Sequence, residues 1–307
     1  MYSFRSTINK ATLDSRYRSL FARAGLQRKW SREISSCPEL AGILPVNISP
    51  EDMLTMKFED LVDVYLNYKQ YYNNLPEARK PVLKAAAENV FTYDSYKTKI
   101  AKFLSDTNNG FVIDNCVYCD LSDARVLEDG KRQFVTDHIL DKGECPLVGL
   151  SLYNFCPACS FCNTNCKGTL TIGTTKEQIK KLGPTGSMYD FEHQVKFIIK
   201  MKPEAVGRIK LDHLDWYKLE FEYNDDDYYK EVSLFDLVTR YNLRHNKLQA
   251  LEWLKLARKH RGIVLKFFAR LTGKSIEEEI KRAFHYEERK QAHSLMIKLM
   301  EDIMRIR

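Results

Sequence analysis

Four cysteines crowd into Asn154–Gly168, NFCPACSFCNTNCKG, at the spacing C-x2-C-x2-C-x3-C from Cys156 through Cys159 and Cys162 to Cys166. Taken alone, that spacing suits a four-iron cluster. A further pair, Cys116 and Cys119, stands upstream in NCVYCD. Two C-x2-C pairs separated by intervening sequence are the usual arrangement of a tetrahedral structural zinc site. The upstream pair can close with Cys156/Cys159 or with Cys159/Cys162. The iron–sulfur reading leaves Cys116 and Cys119 unused, and Lys167 stands where a proline should follow the fourth cysteine.

Between the pairs lies Asp137-His138, at the end of the β-like run RQFVTDHIL. A histidine ionises near neutral pH and can serve as a general base, and a carboxylate supplies the oxygen that a hard divalent cation prefers. Two asparagines complete the set. Asn154 precedes the downstream cysteines, and Asn163 follows Cys162 directly.

In this order, C116-VY-C119, T136-D137-H138-I139, S151-L152-Y153-N154 and C159-SF-C162-N163 resemble the HNH endonucleases in their four-cysteine zinc form. The resemblance covers roughly residues 111–170, about a fifth of the chain. It implies a ββα-metal unit, with Asp-His on the first strand of a hairpin and the last Asn on a short helix. It makes His138 the base that deprotonates water and Asn154 the brace across the hairpin loop that orients it. It makes Asp137 and Asn163 the oxygen ligands of a catalytic Mg²⁺ or Mn²⁺. It assigns a structural Zn²⁺ to Cys116, Cys119, Cys159 and Cys162, because the first ligand of the second pair stands five residues after the middle Asn. Such a short stretch builds little core alone, so a metal clip supplies stability. The chain departs from the pattern at one place. A lysine commonly stands four residues after the last zinc cysteine, where this chain has Cys166, with Lys167 one later. Cys156 and Cys166 are then extra thiols, read as small apolar residues. Lys142 and Lys167 read as exposed cations, with a contact to a DNA backbone as the alternative.

The elements that must position these groups are mostly helical. Ser49-Pro50-Glu51-Asp52 reads as a helix start, and apolar residues follow at helical spacing (Leu54, Phe58, Leu61, Val62, Tyr65, Leu66). Lys80-Pro81 opens a second helix and Tyr93 to Leu104 a third. From Phe111 the texture turns β-like, in FVIDNCVYCD and KRQFVTDHIL. Gly183-Pro184-Thr185-Gly186 reads as a linker or sharp turn. VKFIIKMKP and WYKLEFEY read as a strand pair, and Asp225-Asp226-Asp227 as a hairpin tip. The chain then returns to helix, with a capping box at Ser275 and Glu278 opening a last helix to Arg307. The expected fold is α+β and mainly helical, with a zinc-stapled nuclease unit inserted between helical regions. Its divisions are residues 1–108, 109–175 and 176–307.

At 307 residues, 44% hydrophobic and 29% charged, the chain has the composition of a globular protein, and no apolar run is long enough to cross a bilayer. The start has arginines but no continuous apolar stretch, so a secretory signal is not expected. Eight cysteines in a chain this long favour metal binding over disulfides, in a reducing, cytoplasmic setting. Net charge is +7, and residues 1–32 carry eight Lys/Arg (Arg5, Lys10, Arg16, Arg18, Arg23, Arg28, Lys29, Arg32) against Asp14 alone. Such an arm suits a polyanion; a solvated helix face or a partner-docking segment is the other reading.

The layout, an HNH stretch followed by a hairpin and a helix with RYN, is loosely similar to the HNH subunits of Septu-type bacterial antiphage systems. That similarity implies DNA cleavage beside a partner ATPase. A stand-alone restriction-type HNH nuclease is the alternative. A non-catalytic zinc module that binds nucleic acid or protein is the competing class.

Overall fold

Helix formation over the first hundred residues follows the apolar spacing, with shifted starts. The computed structural model describes residues 3–45, 47–205, 209–260, 278 and 296–305. Helices α1 (Lys10–Ser19) and α2 (Leu26–Ser36) precede α3 (Phe58–Asn74), which buries Phe58, Leu61, Val62, Val64, Tyr65 and Tyr68. Ser49 and Asp52 do cap one another, since each accepts a hydrogen bond from the other's backbone N–H. That cap closes only a 3-10 turn, Asp52–Thr55, because Met56 is extended. The α-helix therefore begins at Phe58 rather than at Pro50, with Glu59 and Asp60 favourably placed in its first turn. Helix α4 (Lys80–Val90) carries Pro81 at its start, as expected. The third expected helix divides into a 3-10 turn at Tyr93–Ser95 and α5 (Lys97–Ser105).

FVIDNCVYCD forms no named strand. The C-x2-C turn bends the chain, and the Ala124 N–H bonds back to the Asp114 carbonyl. Strand β1 (Val135–His138) pairs antiparallel with β2 (Phe155–Ala158), and a π-helical segment, Phe161–Lys167, follows. Gly183 is packed rather than a free linker: a Cβ there would lie 2.0 Å from the Phe58 ring.

Contacts divide the chain into two compact units, one of Tyr2–Tyr118 with Ala124–Asp190, the other chiefly of Cys119–Asp123 with Phe191–Arg307. In the second, β3 (Val195–Met201) and β4 (Tyr217–Tyr223) form the expected antiparallel pair. Asp225 follows β4 and accepts from the Asp227 N–H to cap a 3-10 turn, so the acidic cluster is not the hairpin tip. The C-terminal helix Ile297–Arg305 is tied to β3 through Asp302, which accepts from the Phe197 N–H at 2.9 Å and from the Lys298 ammonium. Ser275, with the cap expected there, lies outside the described residues. No described helix is long and apolar enough to cross a membrane.

Candidate functional site

Two short strands and the turn after them bring the predicted residues into one neighbourhood. In the β1–β2 register Asp137 faces Cys156 and His138 faces Phe155. Consecutive strand residues point to opposite sides, so the Asp and His side chains diverge.

On the His side, the imidazole Nε2 lies 3.1 Å from the Gly149 carbonyl oxygen. A carbonyl only accepts, so Nε2 carries the proton and Nδ1 keeps its lone pair. Nδ1 has no hydrogen-bond partner among the described residues. The ring is held between Tyr93, at 4.5 Å and 75°, and Phe155, at 4.8 Å and 63°. Burial lowers the His138 pKa to about 3; the Gly149 bond works against that, and the charges of Lys142 and Lys167 add to it. Lys142 extends over the Tyr93 ring, 5.3 Å from its centre.

Asn154 holds the loop that carries Gly149. It is fully buried, accepts from the Leu140 N–H at 2.8 Å and donates to the carbonyls of Leu140 (3.0 Å) and Val148 (3.1 Å). The two ends of the loop between β1 and β2 are thereby pinned, with Val148 next to the His138 acceptor. From the other side, the Tyr17 phenol in α1 donates to Leu150 O at 2.8 Å.

On the Asp side, the Tyr118 phenol donates to Asp137 Oδ2 at 2.6 Å, and the Cys156 thiol lies 3.1 Å from the same phenol oxygen. The Lys167 ammonium stands 3.3 Å from Asp137 Oδ1 and donates to the His138 carbonyl at 2.7 Å. All four side chains are buried. Burial pushes the Asp137 carboxyl up, against the pull of the Lys167 charge and the Tyr118 bond. The Tyr118 and Cys156 acids are pushed up too, first by burial and then by the Asp137 charge. Lys167 is thus a corrected expectation. At 2% exposure it is neither a surface cation nor available to a backbone phosphate.

The π-helical turn explains how Lys167 gets there. The Gly168 N–H bonds to the Asn163 carbonyl at 2.8 Å, an i→i+5 closure, while the Asn163 N–H bonds to Cys159 O in the α pattern. The wide turn absorbs one residue. Asn163 sits at its first turn, half-buried, and its amide has no hydrogen-bond partner among the described residues. No hydrogen bond joins it to Asp137 or His138.

The sulfurs of Cys116, Cys119, Cys159 and Cys162 all lie within 4.8 Å of one another, and all four residues are buried. Thiolates about 2.3 Å from a tetrahedral ion stand about 3.8 Å apart, so this set can hold zinc. Backbone N–H groups already face two of the sulfurs, Leu121 N–H at Cys119 and Cys162 N–H at Cys159, which suits thiolate charge. Cys156, the other candidate for closing the upstream pair, bonds Tyr118 instead, and Cys166 is outside the cluster. Cys37 and Cys145 are buried, and burial lifts the Cys145 thiol to about 12.

The basic arm is largely engaged within the protein. Arg5 donates to Gly186 O, Arg16 to Asn108 O and Arg18 to Thr55; Lys10 pairs with Asp14 and Arg32 with Glu33. Arg23, Arg28 and Lys29 have no side-chain partner among the described residues. Spacing alone gave no hint of Tyr118, Gly149 or Tyr93 as neighbours of the Asp-His pair, and Tyr93 comes from a distant stretch of chain. For Lys167 the available signal was a lysine one residue out of place. No protein-family model, curated protein or solved structure matches this chain.

Proposed function

We propose that the chain is a metal-dependent endonuclease of the HNH type, hydrolysing phosphodiester bonds in DNA. The observation that carries this reading is the state of His138: its Nε2 proton is committed to Gly149, and its Nδ1 lone pair is unpaired. That is the tautomer a general base requires. The loop bearing Gly149 is fixed by the three bonds of Asn154, which makes Asn154 a positioning residue.

The four clustered cysteines fit a structural zinc ion, which ties the chain before β1 to the chain after β2. The resemblance implies that Asp137 and Asn163 would be the oxygen donors to Mg²⁺ or Mn²⁺. Each Asp137 oxygen accepts one hydrogen bond and keeps a further lone pair, and the Asn163 amide oxygen is unpaired. When bound, such a cation neutralises charge on the scissile phosphate and its leaving oxygen. The protein's own part is proton transfer. Nδ1 of His138 takes a proton from water as the water oxygen bonds to phosphorus and the phosphorus–oxygen bond to the leaving strand breaks. The resulting imidazolium keeps its Nε2–H on Gly149 O. The incoming phosphate offsets the burial that depresses the His138 pKa, so the base strengthens where its substrate sits.

The DNA substrate, and a place beside a partner ATPase in bacterial antiphage defence, belong to this proposal and rest on motif order alone. One observation favours the competing non-catalytic zinc module: Asp137 is buried and already bonded to Tyr118 and Lys167. A single experiment separates the two. Purified protein is incubated with supercoiled plasmid and Mg²⁺ or Mn²⁺, beside His138→Ala. Nicking by the wild type and its loss in the variant are expected. Equal inertness of the two with each metal, alone and with a candidate ATPase present, rejects the nuclease.

A further inference from the structure

The unit that holds the Asp-His pair also contains a cavity of about 330 Å³ that the proposed chemistry does not use. That volume lies within the range of about 300–1,000 Å³ for small-molecule sites. Phe155 divides it from the catalytic base, since Phe155 lines the cavity and its ring packs on His138 at 4.8 Å. The rest of its apolar wall includes Leu13, Leu152 and the rings of Phe4 and Phe111, which stack at 4.9 Å and 16°. Aromatic faces of this kind receive a flat ring.

The rim is charged and asymmetric. Arg5, Lys10 and Lys57 line the cavity, against the carboxylate of Glu59. Lys10 is neutralised by Asp14. Lys57 is exposed and has no side-chain partner among the described residues. Arg5 spends one N–H on the Gly186 carbonyl, which leaves its other donors uncommitted. Arg5 and Lys57 both line the cavity, and Arg5 is anchored at Gly186, next to the Ser187 that bonds Glu59. Lys57 also stands at the N-terminal boundary of the long helix α3, its side chain making no capping bond there. Acceptors complete the set. The Thr185 hydroxyl donates to Tyr153 O, which turns its lone pairs outward, and Glu59 adds carboxylate oxygen.

A ligand matched to this cavity has a flat ring bearing N–H donors and an anionic group at one end. We propose that the cavity binds a 5′-phosphorylated nucleotide, with its base against the phenylalanine wall and its phosphate on Lys57 and Arg5. The chemistry is the same for a free mononucleotide and for the 5′ end of a strand. The site is independent of the nuclease reading, and its test reads binding rather than cleavage.

The full-length, zinc-loaded protein is titrated calorimetrically with AMP, CMP, adenosine and inorganic phosphate. AMP and CMP are expected to bind, at least about tenfold tighter than adenosine or phosphate, since stacking and charge contribute together. Lys57→Ala, at an exposed position, weakens AMP binding about tenfold with adenosine unchanged. Ile8→Trp, which fills the cavity from its half-buried edge, removes AMP binding while the thermal melt shows the fold intact. A 5′-phosphorylated tetranucleotide distinguishes the sources. Tighter binding than AMP assigns a strand end, and equal or weaker binding assigns the free nucleotide. The proposal is overturned if no mononucleotide binds at millimolar concentration, if phosphate alone binds as tightly as AMP, or if AMP binding is unchanged in both variants.

Discussion

The Lys167 ammonium donates a 2.7 Å hydrogen bond to the main-chain oxygen of His138 while standing 3.3 Å from the carboxylate of the preceding residue. One cation thus fixes the backbone of the proposed base and balances the buried charge of the proposed metal ligand. Its side chain is 1% exposed, so the pair is formed out of water.

Removing one partner of such a pair strands a buried charge, at a cost of about 3–5 kcal/mol. Lys167→Met is therefore expected to lower unfolding free energy by about that amount, seen as a lower urea midpoint with an unchanged slope. A loss under about 1 kcal/mol contradicts the burial of the pair.

His138→Ala is expected to reduce plasmid nicking by about 10²-fold or more, the typical contribution of a positioned general base. Asn154→Ala acts one step removed. It strips partners from two buried carbonyls and one N–H, at about 1–3 kcal/mol each, and frees the loop that holds Gly149. Under the nuclease reading it lowers kcat more than it raises KM. The opposite split assigns Asn154 to substrate binding instead.

Metal analysis of purified protein is expected to give about one zinc per chain. Cys162→Ser abolishes that stoichiometry, whereas Cys156→Ser and Cys166→Ser retain it, because only the first belongs to the sulfur cluster. Chelation unfolds the β1–β2 region, followed by its circular dichroism. Full zinc retention in Cys162→Ser defeats the assigned ligand set.

Folded His138 takes a proton only near about pH 3, whereas an unfolded imidazole does so near about 6.5. Between those values the unfolded chain holds more protons. The contribution of His138 to stability is complete above about pH 6.5 and is lost progressively as pH falls toward 3. Comparing wild type with His138→Gln at pH 7.5 and pH 5 isolates this group from the carboxylates. The wild type is expected to lose more stability between the two conditions. An equal loss in both proteins removes the argument for a depressed imidazole.

Part of this arrangement is legible in the sequence, for physical reasons that differ by residue. The cysteine pairs are readable because a C-x2-C turn brings two thiols together locally, so spacing alone carries most of the geometry. The β3–β4 pair is readable because its apolar and polar residues alternate, as in Val195, Phe197, Leu219 and Phe221. The start of α3 was misplaced because Ser49 and Asp52 satisfy one another equally well around a 3-10 turn. Tyr93 and Gly149 were invisible because their roles arise from tertiary contact with His138, which leaves no periodic trace. The choice between Cys162 and Cys156 is open from spacing; in the fold the turn after β2 brings the Cys162 sulfur to the cluster, while Cys156 on β2 meets Tyr118.

The π-helical turn at Phe161–Lys167 has a consequence for how this stretch tolerates change in length. An extra residue inside an ordinary α-helix rotates everything after it by about 100°. Here the surplus is contained within the π segment, and the lysine at its end still meets its carboxylate. Shortening the segment by one residue, through deletion of exposed Asn165, restores a plain α turn and should leave the Lys167–Asp137 pairing in place. Spacing along the chain and position in space come apart at this turn, so a fixed count of residues is a poor guide to the lysine's partner.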